Sequence, residues 1–196
     1  QSRSSAASDV YKRQDISKVK VEPVGFPTRE PMLAEGKVDS VTGFSFSSYL
    51  NLVRLGVPEE DISTILMADH GLKLYGNAVI VNTDYAKNNS DMVKKFLVAI
   101  GAGWRDAIKD PKAAAAALVK RNPAADAALE QRRLQLAIDA NVLTDYVKAN
   151  GMGGVDSSRF AAAIEQLSET YEYKAAPNAA LYFTDEYLPA SGISLN

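Results

Sequence analysis

The 196-residue chain contains no cysteine. Disulfide bridges, thiolate zinc sites, iron–sulfur clusters and cysteine nucleophiles are therefore excluded together. An excess of one charge is also lacking, since 22 Lys and Arg face 24 Asp and Glu and the formal net charge is -2. A nucleic-acid partner and an anionic lipid surface are therefore not expected. No run of about 18 apolar residues occurs, so the sequence predicts no direct membrane insertion.

Hydrophobic residues make up 46% of the chain, which is enough for one sizeable core or two modest ones. The first 14 residues, QSRSSAASDVYKRQ, have neither an apolar stretch nor a helical or strand period. They resemble neither a signal peptide nor part of a domain. We interpret residues 1–14 as a non-native leader, and we expect the remainder to be a fragment truncated at its N-terminus.

From residue 15 to residue 76, short runs of alternating apolar and polar residues are separated by amphipathic stretches. Strands are predicted at residues 19–26, 38–42 and 62–67. The helices predicted between them end near Gly36 and Gly56. Strand, helix, strand, helix, strand at this spacing is typical of parallel βαβ units, so the sequence predicts an α/β fold.

The remainder of the chain is predicted to be mainly helical after one more strand at residues 77–82. Apolar residues spaced by three and four indicate a long helix that is capped by Ser90 and ends before Pro111. Further helices are predicted at residues 112–120, 126–140 and from Asp156 onward.

Two of the predicted strands end in residues suited to a small ligand. In open parallel sheets, ligands bind beyond the carboxyl ends of strands, where helix N-termini direct N–H groups. A glycine at such a point lets the backbone approach a ligand, and hydroxyl groups supply hydrogen-bond donors. Aromatic rings can stack on a flat ligand group, and an arginine can pair with a negatively charged one. The candidate ligand-binding residues are Phe26, Thr28, Arg29, Thr42, Gly43, Phe44 and Ser45, with Tyr75 and Asn77 from the loop after the third strand. The alternative is that Thr28 and Ser45 cap helices and that the two Phe residues fill the core.

The sequence predicts no catalytic residue and no metal site. The single histidine, His70, has no Ser or Cys partner in a known motif, and no ligand spacing such as HExxH occurs. The GMGG run at residues 151–154 lacks the Lys-Ser/Thr of a phosphate loop, so a turn between helices is the better interpretation. We expect no cofactor and no enzymatic activity.

Residues 29–44, REPMLAEGKVDSVTGF, resemble the EPxLxxGKVDAxxGF segment of ABC transporter substrate-binding proteins of the nitrate, sulfonate, taurine and thiamine-pyrimidine-precursor class. Residues 74–82 and the helix that carries Trp104 are also similar to that family. The likeness covers roughly residues 15–190; its first segment is fairly specific, and its helical part is generic.

The resemblance implies an incomplete periplasmic-binding-protein-like fold of the second type, which closes on its ligand by hinge motion. Residues 15–76 would be the later part of lobe two, a βαβαβ unit. Residues 77–196 would be the return strand and the helical C-terminal part of lobe one. The implied function is capture of a small molecule in the periplasm or another extracytoplasmic compartment and its delivery to an ABC transporter permease.

Two alternatives share this fold. The effector domain of a LysR-type transcription regulator is one, although the long helical C-terminal half fits transporters better. A thiamine pyrimidine synthase-like enzyme is the other, and it depends on a particular His and a cysteine-rich iron site. A chain with no Cys and one His outside a matching segment argues against that enzyme.

The ligand's identity does not follow from the sequence. Arg29 and two helix N-termini suit an anion, whereas Phe26, Phe44 and Tyr75 suit a stacked pyrimidine. On the strength of those three rings, we favour an aromatic or heterocyclic solute.

Overall fold

A computed structural model describes residues 16–171, 173–175, 177–190 and 192–195. The segment 1–14, interpreted above as a leader, lies outside the described residues. Two compact units divide the chain, Gln1–Gly71 and Leu72–Asn196, and we call them the first and the second unit. The predicted assignment of residues 15–76 and 77–196 to two lobes stays a prediction.

The predicted α/β fold is wrong. Within the described ranges the structure has no β-sheet, and helices cover 59% of the residues there. The four segments predicted as strands are irregular, at residues 19–25, 38–42, 62–66 and 77–82. An alternating pattern favours extended backbone, but a strand also needs a neighbour that takes up its N–H and C=O groups. These segments do not pair with one another, and many of their apolar side chains are exposed, up to 92% for Ile80.

Helices α1 (Phe26–Ala34) and α2 (Ser45–Arg54) form the first unit together with short 3-10 turns at Ile16–Lys18, Glu59–Asp61 and Met67–His70. Pro27 lies in the first turn of α1, where its missing N–H costs no helical hydrogen bond. Gly36 ends the helix with a φ of +67°, in the left-handed region that glycine tolerates. Both helices therefore lie where the sequence predicts them.

The core of the first unit is small and partly polar. From α2, Leu50 is fully buried and Leu52 is nearly so. Glu30 of α1 and Ser48 of α2 are the buried polar residues of the described part of the chain. The two helices thus pack on each other, not on a sheet.

The second unit is a set of helices joined by short turns. They are α3 (Thr83–Asn88), α4 (Ser90–Lys109), α5 (Pro111–Arg121), α6 (Ala127–Ala137) with a π-helical turn at Ile138–Val142, α7 (Asp145–Asn150), α8 (Ser157–Thr170) and a 3-10 turn at Ala179–Leu181. Asp126 and Asp156 cap α6 and α8 through their side chains, which confirms the helices predicted there. The predicted cap at Ser90 is wrong, because Ser90 is already helical and Asn89 precedes it.

The C-terminal segment is tied to the helices of the second unit. Met152 and Ile193 form an isolated antiparallel bridge, and Arg105 of α4 donates to the Ser194 carbonyl at 2.9 Å. Gly101 of α4 leaves room for the Ile193 side chain, since a Cβ there would overlap it. None of the described helices has both the length and the apolar character to cross a membrane.

We expect Leu50→Ala to lower the free energy of unfolding by about 2–5 kcal/mol, because it opens a cavity in a small core. Leu55→Ala is the matched control, since Leu55 is 41% exposed just after the same helix. Urea unfolding followed by circular dichroism measures both changes. Equal losses in the two variants would show that the core is not centred on Leu50.

Candidate functional site

Arg29 is at the centre of the predicted ligand-binding residues in the first unit. Its Nη1 donates a hydrogen bond of 2.6 Å to the Thr42 carbonyl. Its guanidinium carbon lies 4.7 Å from the centre of the Phe26 ring, which is a cation–π contact. Arg29 therefore joins the start of α1 to the segment that leads into α2.

Glu30 anchors this arrangement from the buried side. Its Oε1 accepts a hydrogen bond of 2.6 Å from Ser48 Oγ and lies 3.4 Å from Arg29 Nη2. The Glu30 side chain is 4% exposed and that of Arg29 is 19% exposed. A carboxylate so far from water needs such partners, because an uncompensated buried charge costs several kcal/mol. Neither Glu30 nor Ser48 is among the candidate residues predicted from the sequence; the available signal for Glu30 is its place at the start of the EPxLxxGKVDAxxGF-like segment.

Gly43 is required by the close approach of the chain to this network. A Cβ at residue 43 would overlap Ser48 Oγ and would lie 3.5 Å from Arg29 Nη2. Any larger residue would push against the hydroxyl that bonds to Glu30. The sequence predicted Gly43 as a point of close backbone approach to a ligand, and the neighbour seen here is Ser48.

Two phenylalanine rings of the first unit lie at the surface, and one of them, Phe26, contacts Arg29. Phe26 is 77% exposed and Phe44 is 48% exposed, so neither ring fills the core. Phe44 also stacks on Phe46, with ring centres 5.3 Å apart and an angle of 18° between the planes. The patch thus presents apolar ring surface next to a partly buried cation.

Thr28 and Ser45 lie in the first turns of α1 and α2. Neither is an N-cap residue, because those positions belong to Gly25 and Phe44. The alternative that these two hydroxyls serve as caps therefore does not describe the structure. Thr28 and Thr42 are exposed and Ser45 is half-buried.

Tyr75 and Asn77 belong to the second unit. The Tyr75 hydroxyl accepts a hydrogen bond of 2.8 Å from the Asp156 N–H, and the Arg159 guanidinium lies 4.7 Å from the centre of the Tyr75 ring. Asn77 is exposed. The structure therefore places Phe26 and Thr42 in contact with Arg29 and brings Gly43 close to it, whereas Tyr75 and Asn77 lie in another unit. Thr28, Phe44 and Ser45 are neighbours of these residues in the chain.

Arg159 holds the segment around Tyr75 to the start of α8. It donates to the carbonyls of Lys73 and Leu74 at 3.2 and 3.0 Å. The pKa of Asp156 is lowered, first by the hydrogen bond from the Ser158 hydroxyl and then by the N–H of Arg159. Burial raises the pKa of Tyr146, and the neighbouring Tyr75 and Asp156 add to that shift. These contacts explain how Tyr75 is held, and Arg159 is not predicted from the sequence.

Other sites in the described part of the chain are poorly suited to a ligand. No group of three or more His, Cys, Asp or Glu residues there could hold a metal ion, and His70 lies exposed in a 3-10 turn. A cavity of about 170 Å³ in the second unit is lined by Leu143, Val147, Gly151 and Leu195 among others. That volume is below the 300–1,000 Å³ typical of small-molecule pockets.

We expect Gly43→Ala to destabilise the first unit by about 1–3 kcal/mol, because the new methyl group displaces Ser48 Oγ from Glu30 and leaves a buried carboxylate short of a donor. Gly76→Ala is the control, since a Cβ at residue 76 meets nothing within 4 Å. Chemical denaturation measures both. A Gly43→Ala protein as stable as the control would contradict the close packing of Gly43 on Ser48.

Comparison with known proteins gives one match. Residues 4–114 match the family model described as NMT1/THI5 like, which is more than half of the 196 residues. No curated protein and no solved structure matches the chain. The matched span contains all the candidate ligand-binding residues, and it confirms the resemblance seen in residues 29–44. The chain belongs to the NMT1/THI5-like family, the family of nitrate, sulfonate, taurine and thiamine-precursor ABC substrate-binding proteins.

Proposed function

We propose that this protein is the extracytoplasmic solute-binding component of an ABC importer and that it captures a small aromatic or heterocyclic solute. Family membership supports solute binding in general. The observation that carries the choice of solute is the exposed ring of Phe26 against the Arg29 guanidinium, together with the exposed ring of Phe44 next to Gly43 in the chain.

The ring patch suits a flat solute for energetic reasons. Exposed phenylalanine side chains gain free energy when a ligand covers them, and stacking of a heteroaromatic ring on an aromatic side chain contributes about 1–3 kcal/mol. The hydroxyls of Thr28, Thr42 and Ser45 lie in the same segments and offer donors and acceptors to the ring's edge. Ring surface with a few polar groups at its rim is the usual composition of a small-molecule site.

The protein is proposed to bind its solute reversibly and to deliver it to a permease. Family membership supports an ABC permease as the partner and a location outside the cytoplasm. An importer component releases its solute unchanged, so we propose no catalytic step and no cofactor.

We expect hydroxymethylpyrimidine to raise the melting temperature in a thermal-shift screen that also contains nitrate, taurine and alkanesulfonates. Phe44→Ala should weaken binding of that heterocycle about tenfold, which corresponds to the loss of one stacking contact. Tyr182→Ala is the matched control, because Tyr182 is 68% exposed in the other unit. Stabilisation by inorganic anions alone would rule out the preference for aromatic solutes.

The solute is expected to return chemically unaltered after incubation with the protein. Mass spectrometry of the supernatant, after release by denaturation, should recover the whole input and no new species. A converted product that forms without added partners would show that the protein is an enzyme.

A further inference from the structure

We propose that the buried carboxylate of Glu30 sets the charge selectivity of the Arg29 site, so that the site accepts uncharged solutes and rejects simple inorganic anions. This inference rests on the proposed function, since it concerns the same site and narrows its class of solute. It assigns to Glu30 a role in specificity that Glu30 exerts through Arg29 and not by contact with the solute.

The charges of Glu30 and Arg29 are paired. Glu30 Oε1 lies 3.4 Å from Arg29 Nη2, and its side chain is 4% exposed. At such burial the attraction between the two charges is little screened by water or salt. The carboxylate is also fixed in place, because Ser48 Oγ donates to the same oxygen at 2.6 Å. An approaching anion would therefore meet a neutralised guanidinium with a carboxylate directly behind it.

Both terminal nitrogens of Arg29 are already engaged by partners within the protein. Arginine normally binds an oxyanion with two parallel N–H groups. Here Nη1 donates to the Thr42 carbonyl and Nη2 faces Glu30, while Nε is buried and has no hydrogen-bond partner among the described residues. Because Nε is buried, a two-pronged bond to an anion would have to use Nη1 and Nη2, which already hold the Thr42 carbonyl and Glu30. The guanidinium plane still lies against the Phe26 ring. This stacked arrangement suits a planar solute ring.

Helices α1 and α2 carry no other charged residue near the Arg29–Glu30 pair. Arg29 and Glu30 are the charged residues of α1, and α2 carries only Arg54, in its last turn. A helix rises about 1.5 Å per residue, so Arg54 is remote from the first turn of α2. The two helices thus contribute no net charge around the site.

The test compares Glu30→Gln with Glu35→Gln at low ionic strength. Glutamine keeps the size of the side chain and can accept the Ser48 hydrogen bond, but it leaves Arg29 as an uncompensated cation. Glu35→Gln removes the same charge from the exposed end of the same helix, where Glu35 pairs with Lys37. Far-UV circular dichroism confirms that each variant is folded.

Calorimetric titrations with sodium sulfate and sodium nitrate supply the result. We expect Glu30→Gln to bind these anions at least about tenfold more tightly than the unmodified protein, because removal of a facing carboxylate at this distance changes the local potential strongly. Glu35→Gln should behave like the unmodified protein. Equal anion affinity of Glu30→Gln and the unmodified protein would overturn the proposal, and so would an equal gain in both variants.

Two further outcomes keep this test separate from the proposed function. Micromolar binding of sulfate or nitrate by the unmodified protein would overturn the role of Glu30 even if Glu30→Gln did not fold. Failure of hydroxymethylpyrimidine to bind, together with an anion gain confined to Glu30→Gln, would refute the aromatic solute and support the selectivity set by Glu30.

Discussion

The buried carboxylate of Glu30 is the constraint on which the first unit depends. A charge at that depth is tolerated only with close partners, and removal of one partner of a buried pair typically costs about 3–5 kcal/mol. Ser48 Oγ and Arg29 are those partners. Because one comes from α2 and the other also holds the Thr42 carbonyl, a single carboxylate fixes two helices and the segment between them. Gly43 follows as a requirement, since the chain passes too close to Ser48 for a side chain.

Each unit stabilises an extended segment with an arginine that lies on an aromatic ring. Arg29 over Phe26 bonds to the carbonyl of Thr42, and Arg159 over Tyr75 bonds to those of Lys73 and Leu74. Backbone carbonyls without a strand partner need another donor or water. A guanidinium supplies several donors in one plane, and the ring beneath it restricts its orientation. The extended segments are thus held by side chains from helices.

Local signals in the sequence predicted most of the helices, though not α3 and α7, and they did not predict the absence of a sheet in the described ranges. Asp126, Asp156 and the glycine at residue 36 mark helix ends through contacts within a few residues, so they can be read without a structure. The strand predictions were wrong because alternating apolar and polar residues favour extended backbone but do not show that a partner strand exists. Within the site, Arg29 reaches both Phe26 and Thr42, although the described residues form no sheet edge of the kind from which their proximity was predicted. The burial of Glu30 could not be predicted from the sequence, because it depends on Ser48, which is 18 residues further along the chain.

The most direct test of this account is a nuclear magnetic resonance titration of the ¹⁵N-labelled protein with hydroxymethylpyrimidine. If the solute binds at Arg29, the largest shifts are expected at the backbone amides of Gly43 and Phe44 and at the side-chain Nε–H of Arg29, whose guanidinium lies over the Phe26 ring. Shifts confined to the second unit, for example around the cavity lined by Leu143 and Leu195, would contradict it.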